Sequence, residues 1–125
     1  MDKRVKRTIL ICDTDLDHSF TLEGELKNQG YEVINITDAM ELIASATSLQ
    51  PSLILVNPEM KGFNEYDVCK KLMKDMNLPV VLLLDRNSTH RAQIDQCQPD
   101  DVITKPAEVG ILQMLIKKHI SLHEQ

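Results

Sequence analysis

The sequence predicts an α/β fold: a doubly wound, five-stranded parallel sheet in strand order 2-1-3-4-5 with five helices. Three observations predict it. Five short strand-like runs recur along the chain, and the first, third and fourth are apolar rather than alternating, as in strands buried on both faces. Segments with helical apolar spacing separate them, giving the βα alternation of a parallel sheet. The length, 125 residues, suits one domain over 1–125 with one sheet. Right-handed crossovers then leave few topologies, and this order is the expected one.

The elements follow in order. Thr8-Ile-Leu-Ile-Cys12 is the first strand. Over 17–29 the spacing turns helical, with Phe20, Leu22 and Leu26 apolar and Gly30 as C-terminal cap. Residues 31–36 read as the second strand. Asp38 with Glu41 resembles a capping box and opens a helix through Leu49, closed by Pro51. Leu53-Ile-Leu-Val56 is the third strand, and 57–63, with Pro58 and Gly62, is a loop. Val68, Leu72 and Met76 at spacing four give a helix over 65–76. Pro79 precedes the fourth strand, Val80-Val-Leu-Leu-Leu84. A thinly anchored helix follows over 89–97, where only Ala92 and Ile94 are clearly apolar. Asp101-Val-Ile-Thr104 is the fifth strand, and Lys105-Pro106 leads into a last helix over 107–121.

Composition narrows the function. The net charge of −5 argues against a nucleic-acid surface, which needs clustered positive charge. No apolar run approaches the roughly 20 residues that cross a bilayer. The opening MDKRVKR lacks the apolar stretch of a signal peptide, so the chain reads as cytoplasmic and Lys3, Arg4, Lys6 and Arg7 as a solvated lead-in. Cys12, Cys69 and Cys97 are odd in number and far apart, so they form neither a disulfide framework nor a zinc pattern. They read as reduced, mostly buried thiols. His119 and His123, at spacing four, read as a solvated helix end. Met40, Met60, Met73, Met76 and Met114 read as core or loop filler.

In a doubly wound sheet the functional crevice lies beyond the carboxyl ends of the strands. Cys12 to Asp15, Asn57 to Glu59, Leu84-Asp85 and Thr104 to Pro106 should therefore meet there. Four segments carry those stretches: ILICDTD, PSLILVNPEMKGFNEYDVCKKL, LPVVLLLD and DDVITKPAEVGIL. Jointly they resemble the receiver domain of bacterial response regulators, a CheY-like, flavodoxin-like fold, over essentially the whole chain. The resemblance implies phosphoryl transfer from a kinase phosphohistidine to an aspartate. It also implies a magnesium ion bridging an acidic pair, a lysine that pairs with the phosphoryl group, and a Ser/Thr switch hydroxyl. Such chemistry is mostly positioning and electrostatics, because the transferring group carries spread negative charge.

Residue by residue the sequence departs from that pattern. The phosphoacceptor position is Asn57, a neutral carboxamide and a poor nucleophile. Deamidation is disfavoured because Pro58 lacks the N–H that attacks the side chain. The acidic pair is Asp13-Thr14, one carboxylate short, and magnesium usually needs one or two carboxylates. Leu84 stands where the switch hydroxyl belongs, Asp85 where a small residue is usual, and Val102 where an aromatic is usual. Asp13 and Lys105 alone keep the family's key functional groups, with Pro106 beside them.

The sequence thus predicts a pseudo-receiver: no catalytic residue, no cofactor, no magnesium, and Asp13 at most a weak remnant of a metal site. The degenerate site comprises Asp13, Thr14, Asn57, Leu84 and Lys105. Lys105 has three candidate partners, Asp13, the Asn57 amide oxygen and Glu59, and the resemblance implies a cis Lys105-Pro106 bond. Asp13, Glu59 and Asp85 gathered around a cation is the less expected arrangement. Cys12 should be a packing residue, since Asp13 opposes its ionisation. The last helix is apolar over a stripe wider than one sheet face needs, so the 89–121 face is the expected surface for a signalling partner, homodimerisation included. No nucleic acid or membrane is expected to bind this domain. The competing function is a working receiver that takes a phosphoryl group through an altered site. A nucleotide or flavin site would need a glycine-rich loop after the first strand, which Cys12-Asp-Thr-Asp15 is not.

Overall fold

The computed structural model describes residues 7–59, 68, 70–86 and 98–123, the last three as backbone only. The expected helix over 89–97 lies outside the described residues, as do Met60, Cys69, His90, Cys97 and the lead-in Lys3, Arg4 and Lys6. Five strands form one parallel sheet: β1 (Thr8–Cys12), β2 (Glu32–Ile36), β3 (Leu53–Val56), β4 (Val80–Leu84) and β5 (Asp101–Thr104). Their order is β2-β1-β3-β4-β5, as the sequence predicts. The described helices are α1 (Leu16–Asn28), α2 (Ala39–Leu49) and α3 (Val109–His123), with a π-helical segment at Lys71–Asp75. Among the described residues, no helix is long and apolar enough to cross a membrane.

The apolar strands are apolar because each feeds two cores. Alternate residues point to opposite faces of a pleated strand. Leu10, Cys12, Ile54, Val56, Val80, Leu82 and Leu84 pack on one face, under Leu42 and Ala46 of α2 and Leu72 of the π-helical segment. Ile9, Ile11, Leu53, Leu55, Val81, Leu83 and Ile103 pack on the other. There they meet Leu22 and Leu26 of α1 and Leu112, Ile116 and Ile120 of α3. Full burial of such a side chain is worth about 1.5–3 kcal/mol, so the two layers carry the fold.

The helix ends follow the local sequence. Asp15 caps α1 by accepting the His18 N–H. At its other end the Gly30 N–H reaches the Lys27 carbonyl and the Tyr31 N–H the Leu26 carbonyl, a Schellman arrangement with Gly30 at φ +95°. Asp38 caps α2, accepting from the Met40 and Glu41 amides. Four expectations need correction. Phe20 lies on the solvent side of α1 and is 58% exposed. Met40 and Met114 are exposed rather than filler, Met40 at the first turn of α2 and Met114 on the outer side of α3. His119 is buried rather than solvated, because α3 turns it toward β5, where Nε2 lies 3.3 Å from Asp101 Oδ2. The described end of the 65–76 helix is π-helical, with the Met76 N–H bonded to the Lys71 carbonyl five residues back.

Candidate functional site at the carboxyl ends of the strands

Parallel pairing brings the strand ends level. Cys12 stands beside Val56, and Leu84 beside Thr104. The ladder runs one residue further, with Asn57 N–H bonded to the Cys12 carbonyl at 2.9 Å and Lys105 N–H to the Leu84 carbonyl at 2.8 Å. Asp13, Asn57, Asp85 and Lys105 are thereby carried to one place by four different strands. Asp13, Asn57 and Lys105 are buried, while the side chains of Asp15 and Asp85 are about half exposed.

Lys105 is the centre of the cluster. Its Nζ lies 2.5 Å from Asp13 Oδ2, 3.0 Å from Asp85 Oδ1 and 3.7 Å from Asp15 Oδ2. Burial alone would push the ammonium toward losing its proton. The bonds from Asp13 and Asp85 outweigh that, so its pKa lies above the ordinary lysine value. Of the three partners the sequence offered for Lys105, the structure selects Asp13, and it adds Asp85 and Asp15. Lys105-Pro106 is cis.

Asn57 is oriented by its neighbours. Its Oδ1 accepts the Glu59 N–H at 2.9 Å, which turns the NH₂ end toward the acids. Nδ2 donates to Asp13 Oδ1 at 3.1 Å and to Asp85 Oδ1 at 3.5 Å. Asp13 Oδ1 also accepts the Asp15 N–H at 3.1 Å. Glu59 Oε1 in turn accepts the Asp85 N–H at 3.2 Å, fixing the backbone of that residue. Thr14 is exposed, and Leu84 is enclosed in the core below the crevice. Cys12 is buried beneath Asp13. Burial foremost, with Asp13, Asp38 and Glu41 adding charge repulsion, pushes its thiol up to about 12. It is a packing residue, not a nucleophile.

Two parts of the site escape sequence reasoning. Asp85 reads in sequence as a group that repels phosphate; the expected strand order brings it to the crevice, but the turn of its carboxylate to Lys105 is given by the structure alone. His18 carries no motif, yet its Nε2 accepts the Ala107 N–H at 3.1 Å across 89 residues. That bond ties the start of α1 to the loop that follows Lys105. Burial and then the Lys105 charge lower the His18 pKa, against the opposing pull of Asp15, Asp13 and Asp85.

A doubly wound sheet with an acid–lysine cluster at its carboxyl edge defines a class of signalling domain. The family model for the response regulator receiver domain matches residues 9–117, and this chain belongs to that family. The DNA-binding response regulator MtrA of Mycobacterium leprae is 28% identical over 103 residues, covering 82% of this chain and 46% of its own. The chain thus spans about half the length of that relative. Among solved structures, a CheY-like receiver domain protein from Methanospirillum hungatei is similar with TM-score 0.84 at 21% identity, covering 96% of this chain and 98% of its own. The receiver domain of a sensor histidine kinase from Pseudomonas aeruginosa, with magnesium coordinated in its active site cleft, gives 0.83 at 20% identity over 94% and 99%. At these identities the two structures speak for the fold.

Proposed function

We propose that this chain is a pseudo-receiver: a receiver domain of two-component signalling that acts without phosphorylation at residue 57 and presents a fixed surface to a protein partner. The observation that carries this reading is the orientation of Asn57, whose amide nitrogen, not an oxygen anion, faces Asp13 and Asp85. An amide nitrogen has its lone pair spread into the carbonyl and does not attack phosphorus. Three further features support the reading. Leu84 brings no hydroxyl to a phosphoryl group. Asp85 adds negative charge where one would arrive. Lys105 is already paired.

The donor set does not fit the magnesium ion that the family implies. Magnesium needs oxygen lone pairs in near-octahedral array. Both Asp13 oxygens are engaged, one by two N–H groups and the other by Lys105. Asn57 offers hydrogens, not its oxygen. The domain, over 1–125, is read as a non-enzymatic, cytoplasmic module with neither metal nor cofactor. Its partner surface is read as the side of α3 that exposes Ile111 and Met114, together with β5, and it serves a signalling protein or a second copy. Binding of nucleic acid or membrane is not assigned to it.

The test is chemical. The protein is incubated with acetyl phosphate and magnesium, then weighed intact and treated with hydroxylamine. No adduct is expected, and beryllofluoride with magnesium should leave the amide spectrum around Asp13, Asn57 and Lys105 unchanged. A hydroxylamine-labile phosphoryl adduct in the crevice overturns the reading in favour of a working receiver.

A further inference from the structure

The sheet changes its bonding where it meets the crevice. Ile54 donates its N–H to the Pro79 carbonyl at 3.0 Å, on the β4 side. Donors toward one neighbour alternate along a parallel strand, so Val56 and then Pro58 come next. Pro58 has no N–H to give. The β3–β4 ladder accordingly stops at Val56 and Leu82, whereas the β4–β5 ladder runs on to Leu84 and Thr104. Carrying the β3–β4 register onward sets Glu59 opposite Asp85, and side chains bridge the lapse. Glu59 Oε1 accepts the Asp85 N–H at 3.2 Å. Asp85 Oδ1 reaches back to Asn57 Nδ2 at 3.5 Å and across to Lys105 Nζ at 3.0 Å. One residue past the end of β4 is thus tied to β3 and β5 at once. We propose that Asp85, steadied by Glu59, is a permanent clasp across the carboxyl edge of the sheet, holding the ends of β3, β4 and β5 in one arrangement and so keeping the β5–α3 surface in a single state. The inference deepens the pseudo-receiver reading and rests on it for the role of that surface.

The strap to Lys105 is the strong one, because both partners are charged. Asp85 is half exposed, so water weakens the bond relative to a buried pair. Lys105, however, is buried and already held by Asp13, so its ammonium is presented in a fixed place and little side-chain freedom is lost when Asp85 joins it. The clasp acts on the segment from which α3 starts. Lys105 leads through Pro106 to Ala107, whose N–H is held in turn by His18 Nε2. Without the Asp85 carboxylate, the end of β4 keeps the backbone bond from Lys105 N–H to the Leu84 carbonyl and the bond to Glu59. Neither replaces a side-chain tie to β5. The bridging anion belongs to the chain itself, so nothing has to bind for this edge to be closed.

The experiment compares wild type, Asp85→Ala and Asp85→Asn by amide hydrogen exchange and by NMR relaxation dispersion. Asparagine keeps the shape of the side chain and removes its charge. In both variants the Lys105 amide should exchange about fivefold faster than in wild type, as loss of one half-exposed charge-assisted bond implies. The amides of Leu10 and Ile11, in the middle of the sheet, should keep their wild-type rates, which marks a local opening and not a global one. Millisecond exchange should appear at Ile111 and Met114 in both variants and be absent from wild type. Asp85→Asn indistinguishable from wild type overturns the inference, since the charge is then not what holds the edge. Millisecond exchange at Ile111 and Met114 in wild type, or none there in the variants, also overturns it. So does faster exchange spread evenly over the sheet, which is ordinary loss of stability. If Asp85→Ala does not fold, Asp85→Asn carries the same comparison, and failure of both to fold overturns a local clasp. A phosphoryl adduct in the acetyl phosphate experiment sinks the pseudo-receiver reading whatever the variants do. Unchanged variants with no adduct sink the clasp and leave that reading standing.

Discussion

Leu84 and Asn57 lie at the ends of strands that share β3–β4 pairing, yet they serve opposite media. Asn57 ends in the polar ring with Asp13 and Asp85. Leu84, 1% exposed, closes the core on the α2 face with Cys12, Val56 and Leu82, and Val102 packs against the same cluster. An aliphatic residue at 84 and a modest one at 102 are thus parts of one packing solution. A hydroxyl at 84 would sit in hydrocarbon. Leu84→Thr removes buried methyl groups and adds a polar group with no partner. It should cost about 2–4 kcal/mol by urea unfolding. It should also leave the protein unresponsive to beryllofluoride, because Asn57 is unchanged. A loss well below 1 kcal/mol would show that the site relaxes around threonine and that core packing does not explain the leucine.

At the scale of elements, the two described α-helix ends on the amino half of the sheet are built differently. Gly30 closes α1 in the left-handed region without strain, whereas α2 ends on Gln50 at φ 48°, ψ 61°. A side chain there costs roughly 1 kcal/mol against glycine. The Gln50 Nε2 bond to the Thr47 carbonyl is exposed and offsets little of it. Gln50→Gly should therefore stabilise the fold by about 0.5–1 kcal/mol, read as a raised urea midpoint with an unchanged slope. The same contrast separates what was legible in sequence from what was not. β1, β3 and β4 were legible to the residue, because burial on both faces makes a strand a bare apolar run; β5, DVIT, was legible to the residue by its place between Asp100 and Lys105-Pro106 rather than by burial. Gly30 and Asp38 were legible because caps demand particular residue types. The π-helical turn at Lys71–Asp75 was not, since the same apolar spacing serves an α-helix. The crevice was legible as a set of strand ends, and the loss of charge at 57 was legible outright. Asp13 was legible as a partner of Lys105, but Asp85 and Asp15 were not, because the strand order brings the strand ends together without fixing which way their side chains turn.

Across the whole molecule, one of the contacts that bind distant parts of the chain at this edge turns on a histidine. His18, at the start of α1, accepts the Ala107 N–H just ahead of α3, so the helices that cover one face of the sheet are tied at their amino ends. The bond needs a neutral ring, since protonated Nε2 would meet Ala107 donor to donor. Burial and the Lys105 charge together lower the folded pKa below the ordinary 6.5. The unfolded chain thus binds the proton more readily, and stability rises with pH in that interval. The contribution is fully present above about 6.5 and is lost as pH falls through that value toward the lower folded one. Lys105 behaves oppositely. Its raised pKa gives a contribution held throughout neutral pH and lost only above its ordinary value of 10.5, so the two windows do not overlap. Urea unfolding of wild type and His18→Gln between pH 8 and 5 separates the histidine effect. Glutamine can still accept the Ala107 N–H but does not titrate, so the stability difference between the two proteins should shift in favour of the variant as pH falls below 6.5. The wild-type Ala107 amide should titrate with the His18 ring. Parallel pH profiles, or an Ala107 amide that stays still while the His18 ring titrates, would show that the bond does not couple the two helix starts to protonation.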